Sequence, residues 1–139
     1  MRFWDTSALV PLVIRQSSSS KADRWYAEEA SVAIWTLATV EIASALWRLR
    51  REDALTEKET SAAELRAEEL ASASYIVADV DSVKTLAARL LRVHALRAAD
   101  ALQLGAALVW ASGLPQGKTL HTLDERLALA ARREGFSVP

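Results

Sequence analysis

Short apolar runs alternate along this chain with longer stretches whose apolar positions recur every three or four residues. Arg2 to Trp4 reads as a buried strand ending at Asp5; Ala8, Leu9, Leu12 and Val13 follow at helical spacing, with Thr6 and Ser7 offering N-cap oxygens. A polar joint, Ser17 to Ser20, opens a second helix through Trp25, Tyr26 and Ala30. Ser31 to Trp35 is the second strand, and Thr36 or Thr39 caps a helix carrying Glu41, Ala45, Leu46 and Leu49. From Glu52 to Glu69 acids dominate, and Thr56 with Glu59 has capping-box spacing for a solvated helix. Tyr75 to Val80 is a third strand, followed by a helix capped by Asp81 and buried along Leu86, Leu90 and Val93. The Arg97 to Ser112 helix stops at Gly113, Pro115 and Gly117, and Thr119 to His121 is a short strand. Thr122 and Glu125 repeat the capping-box spacing before a last helix that Gly135 ends, and Phe136 to Val138 forms a final short strand. Strands alternating with helices predict an α/β fold: a short parallel sheet of four to five strands, helices on both faces, and right-handed crossovers.

Composition narrows this picture in three ways. At 139 residues the chain suits a single domain spanning 1–139, and no apolar run has the length of a membrane span. Met1-Arg2-Phe3-Trp4-Asp5 puts an acid where a secretory signal needs apolar residues, so the cytoplasm is the expected location. The absence of cysteine removes thiolate catalysis and cysteine-ligated zinc, and two histidines make a poor histidine-rich metal site.

Net charge is −1, so any case for nucleic acid is local. Residues 1–80 carry nine basic and thirteen acidic side chains, residues 81–139 eight and five. Arg89, Arg92 and Arg97 lead towards Asp100. A basic surface beside an acidic pocket suits a nuclease, although arginine runs also serve simply as solvated helix faces.

Four acids stand at comparable junctions. Asp5 ends the first strand, and Glu41, Asp100 and Asp124 lie near helix starts. In a parallel sheet these points converge at the carboxyl ends of the strands, where ligands bind. Each acid alone also suits a helix dipole. Asp100 is hardest to read that way, because Ala98, Ala99, Ala101 and Leu102 surround it and a partly buried carboxylate needs a partner. Carboxylates crowded together need a cation, and an all-oxygen set without cysteine favours Mg2+ or Mn2+. The four are therefore expected to meet around one or two divalent ions.

Taken in order, Asp5-Thr6-Ser7-Ala8-Leu9-Val10, Glu41 with Ala45-Leu46, Arg97-Ala98-Ala99-Asp100-Ala101 and Thr122-Leu123-Asp124-Glu125-Arg126-Leu127 form a set of motifs. Over nearly the whole chain this set resembles the PIN-domain ribonucleases, and specifically the VapC-type toxins of toxin-antitoxin pairs. The departures are Trp4 before the first acid, Gly105 where alanine is more usual, and His121 where an apolar residue is common. The resemblance implies a three-layer PIN-like fold and a metal-dependent endoribonuclease. It makes Asp5, Glu41, Asp100 and Asp124 catalytic metal ligands, with Thr6, Ser7 and Thr122 in support. A water activated by the metal would attack phosphorus while the metal offsets charge on the leaving oxygen.

Arg48, seven residues after Glu41, Arg97 and Lys118 are candidate phosphate contacts, and Trp25-Tyr26 is a candidate partner surface. The resemblance further implies an RNA substrate, with transfer RNA among the candidates, a cognate antitoxin that covers the acids with a basic residue, and a homodimer. Two other classes compete. One is a non-catalytic PIN-like binding module whose acids meet a partner's arginines; the other is a receiver-like phosphoacceptor domain, which would use Lys118 but wants paired acids where Thr6-Ser7 stand.

Overall fold

Four short strands, β1 (Arg2–Trp4), β2 (Val32–Trp35), β3 (Tyr75–Val77) and β4 (Leu120–His121), pair in parallel in the order β3-β2-β1-β4 in a computed structural model that describes residues 1–139. Phe3 is the register point, opposite Ala33 on one side and Leu120 on the other. The chain steps outward from β1 to β2 to β3 and then crosses back to β4 on the far side of β1. The topological switch therefore lies between β1 and β4, and in open parallel sheets ligands bind beyond the carboxyl ends of the strands at that point.

Helices α1 (Thr6–Val13) and α2 (Ser19–Glu28) connect β1 to β2, and α3 (Ala38–Arg51) and α4 (Glu57–Ser72) connect β2 to β3. Helices α5 (Val80–Val93) and α6 (Ala98–Trp110) make the return crossing, and α7 (Glu125–Glu134) follows β4. Side chains alternate across the strands and so divide the core in two. Phe3, Trp35, Val77 and Leu120 pack with Val83, Leu90, Leu104 and Leu127 of α5, α6 and α7. Trp4, Val32 and Ile34 pack on the other face with Leu9, Trp25, Ile42 and Leu46 of α1, α2 and α3 and Ala63 of α4. The expected three layers are thus present, with four strands. No helix is long and apolar enough to cross a membrane.

Several helix starts differ from the sequence expectation. Asp5, rather than Thr6 or Ser7, caps α1, and α3 begins after Leu37 without any side-chain cap. Strand β3 ends at Val77, so α5 starts early: Asp79 caps it by accepting from Ser82 N at 3.1 Å, and Asp81 falls in the first turn. The buried side of α5 runs Val83, Ala87, Leu90, while Val93 is exposed. Asp124 caps α7, so Thr122 and Glu125 form no capping box. The Thr56–Glu59 box and the left-handed Gly135 stop are present as expected. Phe136 to Val138 contributes a single bridge, Ser137 to Thr119, instead of a fifth strand.

Gly105 sets the approach of α5 to α6. A Cβ there would lie 3.0 Å from the Val83 carbonyl oxygen and 3.4 Å from the Ala87 nitrogen, both backbone atoms of a helix that has little room to yield. Overpacking against backbone outweighs the gain in helix propensity, and Gly105→Ala is expected to cost about 1 kcal/mol in urea unfolding. A raised midpoint would show that α5 gives way at this contact.

Candidate active site

The switch crevice is built from two strand-to-helix junctions stitched together by hydroxyls. Asp5 leaves β1 with its N–H donating to the His121 carbonyl at 2.9 Å. Its Oδ2 then accepts from Ser7 N at 3.2 Å, Ser7 Oγ at 2.5 Å and Thr122 Oγ1 at 2.9 Å. Ser7 Oγ also accepts from Leu123 N at 2.8 Å, and Thr122 Oγ1 accepts from Asp124 N at 3.0 Å. These bonds fix the β1–α1 turn against the β4–α7 turn and leave Asp5 Oδ1 without a hydrogen bond. Burial pushes the Asp5 carboxyl up to about 6, against the pull of Ser7 and Thr122, and Glu41 repels it further.

Glu41 enters from the first turn of α3, half-buried, and its Oε2 accepts from Gln103 Nε2 at 2.9 Å. The same nitrogen donates to Thr6 Oγ1 at 2.9 Å. Thr6 therefore supports the Glu41 side of the crevice, while Ser7 and Thr122 support Asp5. Asp100, in the first turn of α6, is also raised, first by desolvation and then by Asp124, with Arg126 and Arg97 partly offsetting both. The acids thus face one another as two pairs, Asp5 with Glu41 and Asp100 with Asp124. No three carboxylate or imidazole side chains close on a common point in this conformation.

Sequence reasoning missed two residues here. Gln103 is the one polar residue between Ala101 and Leu108 and lies one turn after Asp100, a signal available from spacing alone. Arg126 was visible in the last motif, but its approach to Asp100 depends on tertiary packing.

The other predicted contacts separate. Arg48 and Arg97 are exposed, Arg97 as the N-terminal neighbour of α6. Lys118 precedes β4, at the opposite end of the sheet from the acids, with its Nζ 5.4 Å from the Trp110 ring centre. Trp25 is buried, so the expected Trp25-Tyr26 partner surface is corrected: its ring stacks on His121 at 4.5 Å. Trp4 packs on the same imidazole at 4.6 Å, and Arg2 Nη1 lies 3.4 Å from its Nε2. Desolvation and nearby Arg2 and Lys21 lower His121 to about 4, with Glu28 opposing, so the ring is a neutral packing element.

Whether these residues suit a cation is decided by their charge balance. All seven ion pairs lie elsewhere, and none includes Asp5, Glu41, Asp100 or Asp124. None of the four has an ion-pair partner, Arg126 and Arg97 only partly offset the charge at Asp100, and burial pushes Asp5 up to about 6. Their all-oxygen chemistry fits a hard divalent ion.

A family model for the PIN domain matches residues 2–133. The chain is 36% identical over 137 residues to Ribonuclease VapC45 of Mycobacterium tuberculosis (strain CDC 1551 / Oshkosh), and likewise to Ribonuclease VapC49 of strain ATCC 25618 / H37Rv. Both matches span 98% of this chain and 92% of the relative. Among solved structures, PAE2754 from Pyrobaculum aerophilum superposes with a TM-score of 0.62 at 24% identity, covering 99% of this chain and 87% of that one. FitAcB from Neisseria gonorrhoeae gives 0.66 at 18%, with 99% and 96% covered. FitAB bound to an IR36 DNA fragment gives 0.68 at 17%, with 100% and 94% covered.

Proposed function

We infer, from a chain that belongs to the PIN-domain family and within it to the VapC-type ribonucleases, that the crevice between β1 and β4 is the active site of a toxin-antitoxin endoribonuclease. The protein is a hydrolase of RNA phosphodiester bonds. The observation that supports the site assignment is that Asp5, Glu41, Asp100 and Asp124 each stand at a helix N-terminus or in a first helical turn and that none of them enters an ion pair.

In this reading the four carboxylates hold one or two Mg2+ or Mn2+ ions. A bound divalent ion polarises the phosphate and makes water easier to deprotonate. The protein supplies the rest. Ser7 and Thr122 tie up Asp5 Oδ2 and leave Oδ1 free to hold an ion. Asp124 is held by its cap to Leu127 N at 2.8 Å. Arg126, Arg97 and Arg48, all exposed, would take phosphates flanking the scissile one.

The partners follow the same reading: structured RNA such as transfer RNA as substrate, an antitoxin that places a basic side chain among the acids, and a second copy of the chain. Leu37, Val40 and Trp47, exposed on or beside α3, supply apolar surface for protein contacts. Residues 1–139 act as one domain, in the cytoplasm. A receiver-like mechanism is disfavoured because Lys118 lies at the wrong end of the sheet.

The test is cleavage of a panel of structured RNAs by the purified chain with Mg2+ or Mn2+, beside EDTA and Asp100→Asn controls. Cleavage that needs both metal and Asp100 is expected. A folded, metal-loaded protein that cuts nothing would move the assignment to a binding module.

A further inference from the structure

Helix α6 buries an amide where it has no need of one for packing. Gln103 is 1% exposed, in a stretch of α6 where Leu104, Ala106 and Ala107 are fully buried too. Its Nε2 donates to Glu41 Oε2 and to Thr6 Oγ1, each at 2.9 Å, so one nitrogen spans α3, α1 and α6. The orientation of the amide follows from its partner, because the reverse would set the Gln103 carbonyl oxygen against a Glu41 carboxylate oxygen. The cost falls on the other end: Gln103 Oε1 is buried and finds no donor. A leucine or methionine would remove that unsatisfied acceptor but take the donor from Thr6 Oγ1 and Glu41 Oε2, so what the amide supplies is the link between those two side chains rather than the packing of α6.

We propose that Gln103 is a positioning residue of the metal site, holding Glu41 and Thr6 together so that the Glu41 carboxylate stands fixed beside Asp5 before a cation arrives. The inference rests on the metal-dependent reading above. Glu41 is a half-buried side chain with rotamer freedom. Without the Gln103 donor it turns towards water, and ordering it becomes part of the work of binding the ion. Partners behind a ligand act through this route, and their loss typically weakens metal affinity by about 10–100-fold.

The experiment compares wild type with Gln103→Met and Gln103→Leu, two fillings of the same space. Mn2+ affinity is read by calorimetry, metal-free unfolding by urea, and cleavage over a Mn2+ titration. Mn2+ binding is expected to weaken at least about tenfold in both variants. Their metal-free midpoints should stay close to wild type, the removed orphan at Gln103 Oε1 offsetting the donor lost by Thr6, with cleavage recovering at high Mn2+. Unchanged Mn2+ affinity in either folded variant overturns the proposal, whatever happens to its midpoint.

The contact itself is read without metal by NMR. The Gln103 side-chain amide protons should exchange slowly in wild type and faster in Glu41→Ala; solvent-like exchange in wild type overturns the clamp. Wild type that binds no Mn2+ overturns the metal-dependent reading and this inference with it, a result distinct from equal binding by wild type and variants.

Discussion

Asp5→Asn is expected to stop RNA cleavage and, at the same time, to make the metal-free protein harder to unfold at neutral pH. The two effects have one cause. Asp5 is 5% exposed and its carboxyl is raised from 3.8 to about 6, chiefly by burial and further by Glu41. A carboxyl raised on folding contributes its full stability only below the unfolded value. That contribution is lost as pH rises through about 6, so at neutral pH the ionised group opposes folding. The shift corresponds to roughly 3 kcal/mol at most.

Asparagine is close to isosteric here. Its carbonyl oxygen accepts the three bonds from Ser7 and Thr122, and its amide takes the place of the free Oδ1 and no longer repels Glu41. With EDTA at pH 7.5, urea unfolding should show a gain of about 1–3 kcal/mol. Cleavage should fall by at least about a hundredfold, since an inner ligand is lost and not merely a partner behind one. Wild-type cleavage in the variant removes Asp5 from the site. A large loss of stability would instead make Asp5 a helix cap whose charge the fold requires.

This double nature of Asp5 explains where sequence was sufficient and where it was not. The layers and the parallel sheet were legible, because both depend on periodicity and on what can follow a strand. The caps were not. Asp5 and Asp124 each have two readings, helix cap and metal ligand, and here each caps a helix by accepting a bond from the first turn while remaining part of the acid group. The end of β1 at Trp4 was legible, but which of the Asp5, Thr6 and Ser7 oxygens meets the first-turn N–H depends on side-chain rotamers that spacing does not give. Lys118 stands just before β4 in the sequence reading and in the structure alike, so its place at the end of the sheet away from the acids was already implied. Gln103 was in plain sight, but its partners, 62 and 97 residues away, come from the packing of three helices.

Removing either His121 or Asp5 should reveal a pH dependence of stability that the other conceals. The two residues are joined by the bond from Asp5 N to the His121 carbonyl, and they titrate with opposite sign. His121, closed between Trp4 and Trp25 and faced by Arg2, Lys21 and Glu28, is lowered from 6.5 to about 4. Its neutral ring contributes stability that is present above 6.5 and lost as pH falls towards 4, roughly 3 kcal/mol in all. Asp5 gains a similar amount as pH falls from about 6 to 3.8. In the metal-free wild type the two nearly cancel between pH 6 and 4. Asp5→Asn should then lose stability steeply, relative to wild type, as pH drops through that range. His121→Leu, which fills the gap between the two indoles, should gain. Glu134, held below the usual carboxylate range by Arg89 and His94, titrates in all three proteins and drops out of the differences. Urea unfolding with EDTA at half-unit steps from pH 4 to 7 reads both slopes. Parallel curves for the three proteins would mean that neither group keeps its buried state when the cation is absent, and that the crevice opens to water before it binds.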